Sequence, residues 1–159
     1  KGTTLEGGIR VPFVISWPGT LQGGRLFKAP AISLDIAVTA MAAAGIEKQP
    51  KMALDGVNLL PHLKGQAKSL PHKQLFWRSW GQMAIRQGDW KLVSYVAKMD
   101  EGELKRGEPR DIMTPYRLYN LRRDVGEQQD LAAAEPERVE VMLEAWRAWN
   151  KQMKVPPQS

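Results

Sequence analysis

The sequence predicts an α+β fold: the tail of an α/β domain over residues 1–70, then a small domain of four antiparallel strands packed against a C-terminal helix over residues 71–159. Three observations predict this fold. A continuous apolar run near the start is typical of a strand buried on both faces. Four short runs of β-type residues, separated by turns, occupy the middle of the chain. An apolar stripe at spacings of three and four marks a final helix that must pack against a sheet.

The first part of the chain contains one predicted strand and one predicted helix. The strand is the apolar run of residues 11–17. The helix spans about 34–44, with Ser33 as its N-cap and Gly45 as its left-handed stop. Because a single strand cannot complete a sheet, we expect residues 1–70 to pack against polypeptide that this chain does not contain.

The second part contains four predicted strands, over residues 75–80, 83–86, 90–96 and 117–121. Gly88 supplies the positive φ that the hairpin turn between the second and third strands requires. The charged residues 97–115 are expected to form an exposed excursion. Pro136 suits the first position of the final helix, whose apolar stripe runs from Val139 to Met153 and is expected to bury against the sheet.

Composition argues against several classes of function. The net charge of +6 comes from scattered Lys and Arg, and no five consecutive residues carry like charges. We therefore expect no nucleic-acid partner, since that role requires a concentrated basic patch. No apolar run approaches the ~20 residues of a membrane helix, so no membrane partner is expected. The chain has no cysteine and does not begin with methionine, which we interpret as a piece of a longer protein without disulfides or thiolate metal sites in this part.

The segment from Lys1 to Pro12 holds a candidate anion site. Its glycines would allow backbone N–H groups to approach an oxyanion, and Lys1 would add a point charge. Spacing alone favours a plain surface loop, because short glycine motifs recur by chance.

The same segment resembles the lysine-glycine-threonine-x-x-glutamate-glycine-glycine-x-arginine segment of the sulfatase family, within the alkaline-phosphatase-like superfamily. Further matches follow in order along the chain: Trp17 to Gly19, Leu34 to Ile36, Leu54 to Leu59, Arg86 to Leu92 and Leu118 to Leu121. Ordered matches of this kind are far more specific than any single motif. Val125 and Asp130 depart from the family pattern, which usually has proline and asparagine there.

The resemblance implies that the intact protein is a sulfatase that hydrolyses aryl or sugar sulfate esters with a formylglycine, derived from cysteine or serine, and a calcium ion. Of the family's catalytic set only the sulfate-contacting lysine maps to this chain, onto Lys1, which would offset charge in the transition state. The formylglycine motif and the calcium ligands are expected upstream. The chain alone is therefore expected to be inactive and to bind no metal, with the upstream catalytic part as its partner. Similar bacterial enzymes are often periplasmic or secreted.

Two further groups of site residues follow from the resemblance. Glu6 and Arg10 match the family pattern, and we interpret them as an ion pair that fixes the loop presenting the lysine. The loop after the first predicted strand would reach the rim of the substrate pocket, where Arg78, Trp80 and Gln82 would contact a ring, hydroxyls or a second anion. Trp80 fits equally well as an ordinary sheet residue.

The remaining polar residues give weaker signals. His62 and His72 lack the spacing of a helical metal pair, so surface or capping roles are expected. Asp124, Glu127 and Asp130 lack the pattern of an EF-hand loop and are expected in a solvated turn.

Two other functions remain open at the level of sequence. One is a phosphodiester or phosphonate hydrolase of the same superfamily, which the upstream nucleophile and metal ligands would distinguish. The other is a non-catalytic module that binds polyanions or carbohydrates, whose retention on heparin would weaken as salt rises.

Overall fold

The structure, a computed structural model, describes residues 2–47, 51–79, 81–97 and 113–153. The chain divides into two compact units. The sheet unit comprises Lys1–Pro12 and Gln74–Ser159, and the middle unit comprises Phe13–Lys73. The predicted domain boundary near residue 70 stays a prediction, and most of the predicted excursion over residues 97–115 lies outside the described residues.

The sheet unit is built on four antiparallel strands in the order β1-β2-β3-β4. They are β1 Gln74–Ser79, β2 Gln82–Gln87, β3 Trp90–Ser94 and β4 Arg117–Asn120. Gly88 has a φ of 59° in the turn between β2 and β3, as the sequence predicts. The predicted four-stranded antiparallel sheet is confirmed, with strand ends within three residues of those expected.

Helix α4, Pro136–Asn150, begins at the predicted proline and packs on one face of the sheet. The buried core of this face is Met83, Ile85, Leu92, Leu118, Met142 and Leu143. Because side chains alternate along a strand, the other face presents a second set, Ala84, Val93, Tyr95, Tyr119 and Leu121. Leu5, from the first segment of the chain, packs against this second set, so that segment covers the sheet face opposite α4.

One short helix belongs to that first segment. Helix α1, Glu6–Ile9, is a single turn whose last amides donate to the carbonyls of Leu5 and Glu6. It lies in the sheet unit and begins at Glu6, one of the residues predicted to support the site.

The middle unit contains helix α2, Leu34–Ala43, and the short helix α3, Leu60–Leu63. Gly45 follows α2 with a φ of 72°, which confirms the predicted left-handed stop. The side chain of Ser33 does not cap α2; the carboxylate of Asp35 accepts the amide of Ile32 instead.

The predicted strand over residues 11–17 is wrong for this structure. These residues have no strand geometry, and Val11 and Val14 are 73% and 86% exposed. A strand buried on both faces needs paired neighbours, and within the described ranges none lies beside this run. None of the helices in those ranges is long and apolar enough to cross a membrane.

Candidate functional site

A cavity of about 240 Å³ opens in the sheet unit between the first segment and the end of β1. Its walls are Gly2, Thr3, Thr4, Gly8 and Ile9 from the first segment, with Trp77, Arg78 and Ser79 from β1. The cavity therefore joins the segment predicted to bind an anion with the strand end predicted to form a substrate rim.

The backbone of the first segment has a shape that glycine makes possible. Gly2 adopts a φ of 96°, a conformation that side chains other than glycine rarely take. Gly8 lies against the backbone of Thr3, and a Cβ atom added at Gly8 would be 2.0 Å from the Thr3 carbonyl oxygen. The segment can fold back on itself only because position 8 has no side chain.

Two hydrogen bonds to β2 anchor this segment, and one of them comes from Gln82, which was predicted for a different role. The Nε2 of Gln82 donates to the carbonyl oxygen of Gly2 at 2.8 Å, and the hydroxyl of Thr4 donates to the carbonyl oxygen of Met83 at 3.3 Å. Gln82 is fully buried, so a substrate contact by this residue would require its side chain to leave the position seen here.

A buried charge cluster fixes α1 to the sheet. The Nζ of Lys91, on β3, lies 3.0 Å from Glu6 and 2.9 Å from Glu127. The amide of Glu6 also donates to the second carboxylate oxygen of Glu127. Lys91 has 0% of its surface exposed, and both carboxylates are buried, so the contacts are shielded from water.

The electrostatic balance of this cluster is negative, because one ammonium faces two carboxylates. Burial raises the pKa of Glu127, and the neighbouring Lys91 and the amide of Glu6 partly counter that rise. Glu127 also has a φ of 56°, which an L-residue seldom adopts. Its carboxylate contacts maintain a backbone conformation that is intrinsically unfavourable.

The other wall of the cavity is held by α4. The guanidinium of Arg78 donates to the side-chain oxygen of Asn150 at 2.8 Å. The indole N–H of Trp146 donates to the carbonyl oxygen of Trp77 at 3.2 Å, while Phe76 stacks on Trp149 with ring centroids 5.0 Å apart. These contacts fix the end of β1 against α4, and they hold the Arg78 guanidinium on the α4 face of the sheet.

The predicted site residues are thus partly brought together. Arg78 lines the cavity, whereas Lys1 and Trp80 lie outside the described residues. The predicted ion pair between Glu6 and Arg10 is wrong, since Glu6 pairs with Lys91 and Arg10 is exposed. The proposed role of these residues in supporting the site stays a prediction.

Sequence reasoning missed Lys91 and misplaced Glu127. The prediction of a solvated turn is wrong for Glu127, although Asp124 and Asp130 accept backbone amides in that turn. A signal was present, because Lys91 is a lone charge between the apolar residues of β3 and its position faces the sheet interior. A buried lysine requires a carboxylate as its counter-ion, and Glu6 is a carboxylate that the sequence offers for this role.

His72 was also misplaced. It belongs to the middle unit, where its Nε2 lies 2.9 Å from both carboxylate oxygens of the fully buried Asp35. Asp35 also accepts the amides of Ile32 and Val57. The pair ties the end of the middle unit to α2, so the predicted surface role of His72 is wrong.

The described parts of the chain do not fit a calcium site. They contain no group of three His, Cys, Asp or Glu residues placed to hold a metal ion. Any such ion in the intact protein would need ligands from outside these residues.

The chain matches one family along nearly its whole length. The family model of the C-terminal region of N-sulphoglucosamine sulphohydrolase matches residues 1–153. Arylsulfatase A from Bos taurus is 33% identical over 142 residues, which cover 82% of this chain and 28% of the relative. Human arylsulfatase A is 34% identical over 157 residues, which cover 89% and 31%. The chain therefore spans less than a third of the length of these relatives.

Solved structures share the fold. A structure from Bacteroides thetaiotaomicron, described under the metabolism of multiple glycosaminoglycans, superposes with a TM-score of 0.71 at 22% identity and covers 96% of this chain and 31% of its own. The structure of Ps i-CgsB in complex with k-i-k-neocarrahexaose has a TM-score of 0.64 at 24% identity, covering 84% and 27%.

Proposed function

The chain belongs to the family of N-sulphoglucosamine sulphohydrolase C-terminal regions, and we propose that the intact protein is a sulfatase that hydrolyses sulfate esters. Within it, this chain would supply one wall of the substrate pocket and the lysine that contacts the sulfate. One observation carries this proposal. The segment that matches the family's lysine motif and the end of β1 line the same cavity.

The lysine role is assigned to Lys1. It is bonded directly to Gly2, whose carbonyl is held by Gln82 and whose backbone lines the cavity. An ammonium at this wall would neutralise negative charge that builds on the sulfate oxygens as the S–O bond breaks. Such a contact strengthens in the transition state, so its loss should lower kcat.

The rest of the machinery would come from outside the chain. In a sulfatase a formylglycine supplies the nucleophile and calcium binds the sulfate oxygens, but the family's formylglycine motif (Cys or Ser, x, Pro or Ala, Ser, Arg) does not occur in this sequence and the described residues fit no calcium site. The residues of this chain take no part in the proposed chemistry at the formylglycine or at the calcium ion. The chain by itself should therefore have no sulfatase activity.

The substrate would be an aryl or sugar sulfate. Arg78 lines the cavity at the end of β1, and its guanidinium donates to Asn150 on the α4 face. To bind a hydroxyl or a second anionic group of the substrate, this side chain would turn from Asn150 towards the cavity. The neighbouring Trp80 would stack on a ring. Arylsulfatase A and the oligosaccharide complex of i-CgsB are relatives and neighbours consistent with either class.

The partner of this chain would be the catalytic part of its own protein. The apolar run of residues 11–17 is exposed in the described structure, and the middle unit has an apolar cavity of about 220 Å³ lined partly by Phe13, Ile15 and Trp17. Exposed apolar surface of this extent marks an interaction site. The relatives are more than three times as long as the chain's matched part, which leaves ample polypeptide to cover it. By resemblance, the intact protein would be periplasmic or secreted.

The test uses the full-length protein that contains this chain. Hydrolysis of 4-nitrophenyl sulfate is compared with hydrolysis of a 4-nitrophenyl phosphonate and a bis(4-nitrophenyl) phosphodiester. The proposal expects the sulfate ester to be preferred and Lys1→Ala to lower kcat by about 100-fold, with Lys68→Ala, at an exposed lysine, as the matched control. Preference for the phosphorus esters would identify the hydrolase alternative. No hydrolysis, together with salt-sensitive retention on heparin, would favour the binding module.

A further inference from the structure

Lys91 has no part in the function proposed so far, yet it is the most completely buried charge in the described sheet unit. It lies on β3 opposite Tyr119 on β4, with 0% of its surface exposed. Its neighbours Trp90 and Leu92 are apolar. An aliphatic side chain at this position would fill the same volume without the desolvation that an ammonium requires.

A buried ion network of this kind is weak evidence for stability, because desolvation opposes the attraction between the charges. Its distinctive effect is on geometry. Lys91 lies within 3.0 Å of both Glu6 and Glu127, and Glu127 makes this contact from an unfavourable φ. Desolvated charges lose much of their attraction when they separate, so the network favours the arrangement in which both contacts are made. The network therefore selects one position of α1 relative to the sheet.

The position of α1 determines the wall of the cavity. Glu6 begins α1, and Thr4 and Gly8, two positions before it and two after, line the cavity. The other anchors of the segment, from Gln82 and Thr4, are neutral hydrogen bonds. The charge cluster is the contact that resists rotation or sliding of this wall most strongly, since charge-assisted bonds are about twice as strong as neutral ones.

We infer that Lys91 is a positioning residue: through Glu6 and Glu127 it holds residues 2–9 on the sheet so that the cavity wall they form keeps the geometry that the transition state of sulfate-ester hydrolysis requires. The inference rests on the proposed sulfatase function for its catalytic part. Its structural part, the control of the segment's position, stands independently.

Two variants of the full-length protein test it. Lys91→Met removes the ammonium but leaves two buried carboxylates without a counter-ion, so this variant is expected to lose much of its stability. The triple variant Lys91→Met with Glu6→Gln and Glu127→Gln removes all three charges while keeping the side-chain volumes. Lys68→Met repeats the same chemical change at an exposed lysine of the middle unit and is the matched control.

Two measurements are made on each folded variant. Hydrogen exchange follows the amides of Gly8, Ile9 and Arg10, which are hydrogen-bonded in α1. Steady-state kinetics with 4-nitrophenyl sulfate separates kcat from KM. The triple variant should exchange these amides at least about 10-fold faster than wild type. Its kcat should fall by about 10- to 100-fold with KM changed by less than about threefold, because a displaced transition-state contact lowers kcat.

The outcomes distinguish the structural part of the inference, control of the segment's position, from its catalytic part. Unchanged exchange in a folded triple variant would overturn the claim that Lys91 holds the segment. Faster exchange with unchanged kcat, or with an effect on KM alone, would reduce Lys91 to a structural residue and overturn its positioning role. A wild-type protein without sulfatase activity would refute the proposed function, while the exchange data would still decide whether the segment is held by the charge cluster.

Discussion

Replacing Gly8 with alanine should displace the wall of the cavity. The new Cβ would lie 2.0 Å from the carbonyl oxygen of Thr3 and 3.0 Å from its carbonyl carbon. Real Cβ atoms essentially never approach other atoms closer than 3.0 Å, and the obstructing atoms are backbone rather than a flexible side chain. The Thr3 carbonyl must therefore move by about 1 Å, at a cost of about 1–3 kcal/mol in overpacking. By the function proposed above, a displacement of about 1 Å at this wall would lower the rate by about 100-fold.

Gly7 provides the matched control for this substitution. It is the adjacent residue of α1, and a Cβ added there meets no atom within 4 Å. Gly7→Ala should be neutral or stabilise the protein by about 0.5–1 kcal/mol, because alanine loses less backbone entropy in a helix than glycine. The two variants therefore have the same composition and the same net charge, and both substitutions lie in α1. They differ only in whether the new Cβ atom contacts Thr3.

The assay is thermal unfolding of the full-length variants, followed by kcat/KM on a sulfate ester. Gly8→Ala should lower both the unfolding temperature and kcat/KM, and Gly7→Ala should lower neither. Equal behaviour of the two variants would refute the reasoning, since it would mean that the close approach of Gly8 to Thr3 does not exist in the protein.

Four further predictions concern stability. Asp35→Ala should lower the free energy of unfolding by about 3 kcal/mol, because the carboxylate accepts two amides and the His72 ring; a loss under about 1 kcal/mol in urea unfolding would contradict this. Leu118→Ala removes a fully buried side chain and should cost about 2–5 kcal/mol by thermal unfolding. Val125→Ala, at a residue 50% exposed, should change stability by no more than about 0.5 kcal/mol. Burial raises the pKa of folded Glu127 above its ordinary 4.5, so the folded protein binds this proton more tightly than the unfolded chain does. Proton binding at Glu127 therefore adds to stability below pH 4.5, and this added stability is lost as the pH rises through the raised pKa. Urea unfolding over a pH series should show this decline in wild type, and Glu127→Gln should lack it.

The sheet unit could be predicted closely because its signals are local. The alternation of the strands, Gly88 in the hairpin and Pro136 at the start of α4 each depend on residues a few positions apart. The strand predicted over residues 11–17 is absent from the structure, because a local apolar run is not enough for a strand buried on both faces. Such a strand depends on neighbouring strands that these residues do not supply.

The candidate site was predicted only where a motif matched a known family. Such a match identified the first segment and the end of β1, and Arg78 indeed lines the cavity. It did not identify the contacts between them. Glu6 was assigned to its near neighbour Arg10, whereas its partner Lys91 lies 85 residues away.

The sequence by itself determined the four strands, the C-terminal helix and the family, because hydrophobic periodicity, turn residues and ordered motifs are properties of short stretches. Only the tertiary structure decided which charges meet. The pairing of Lys91 with Glu6 and Glu127 depends on which face of β3 the lysine occupies and on α1 folding back across that face. A buried charge needs a counter-ion close to it in three dimensions, and the fold can supply that counter-ion from a distant part of the sequence.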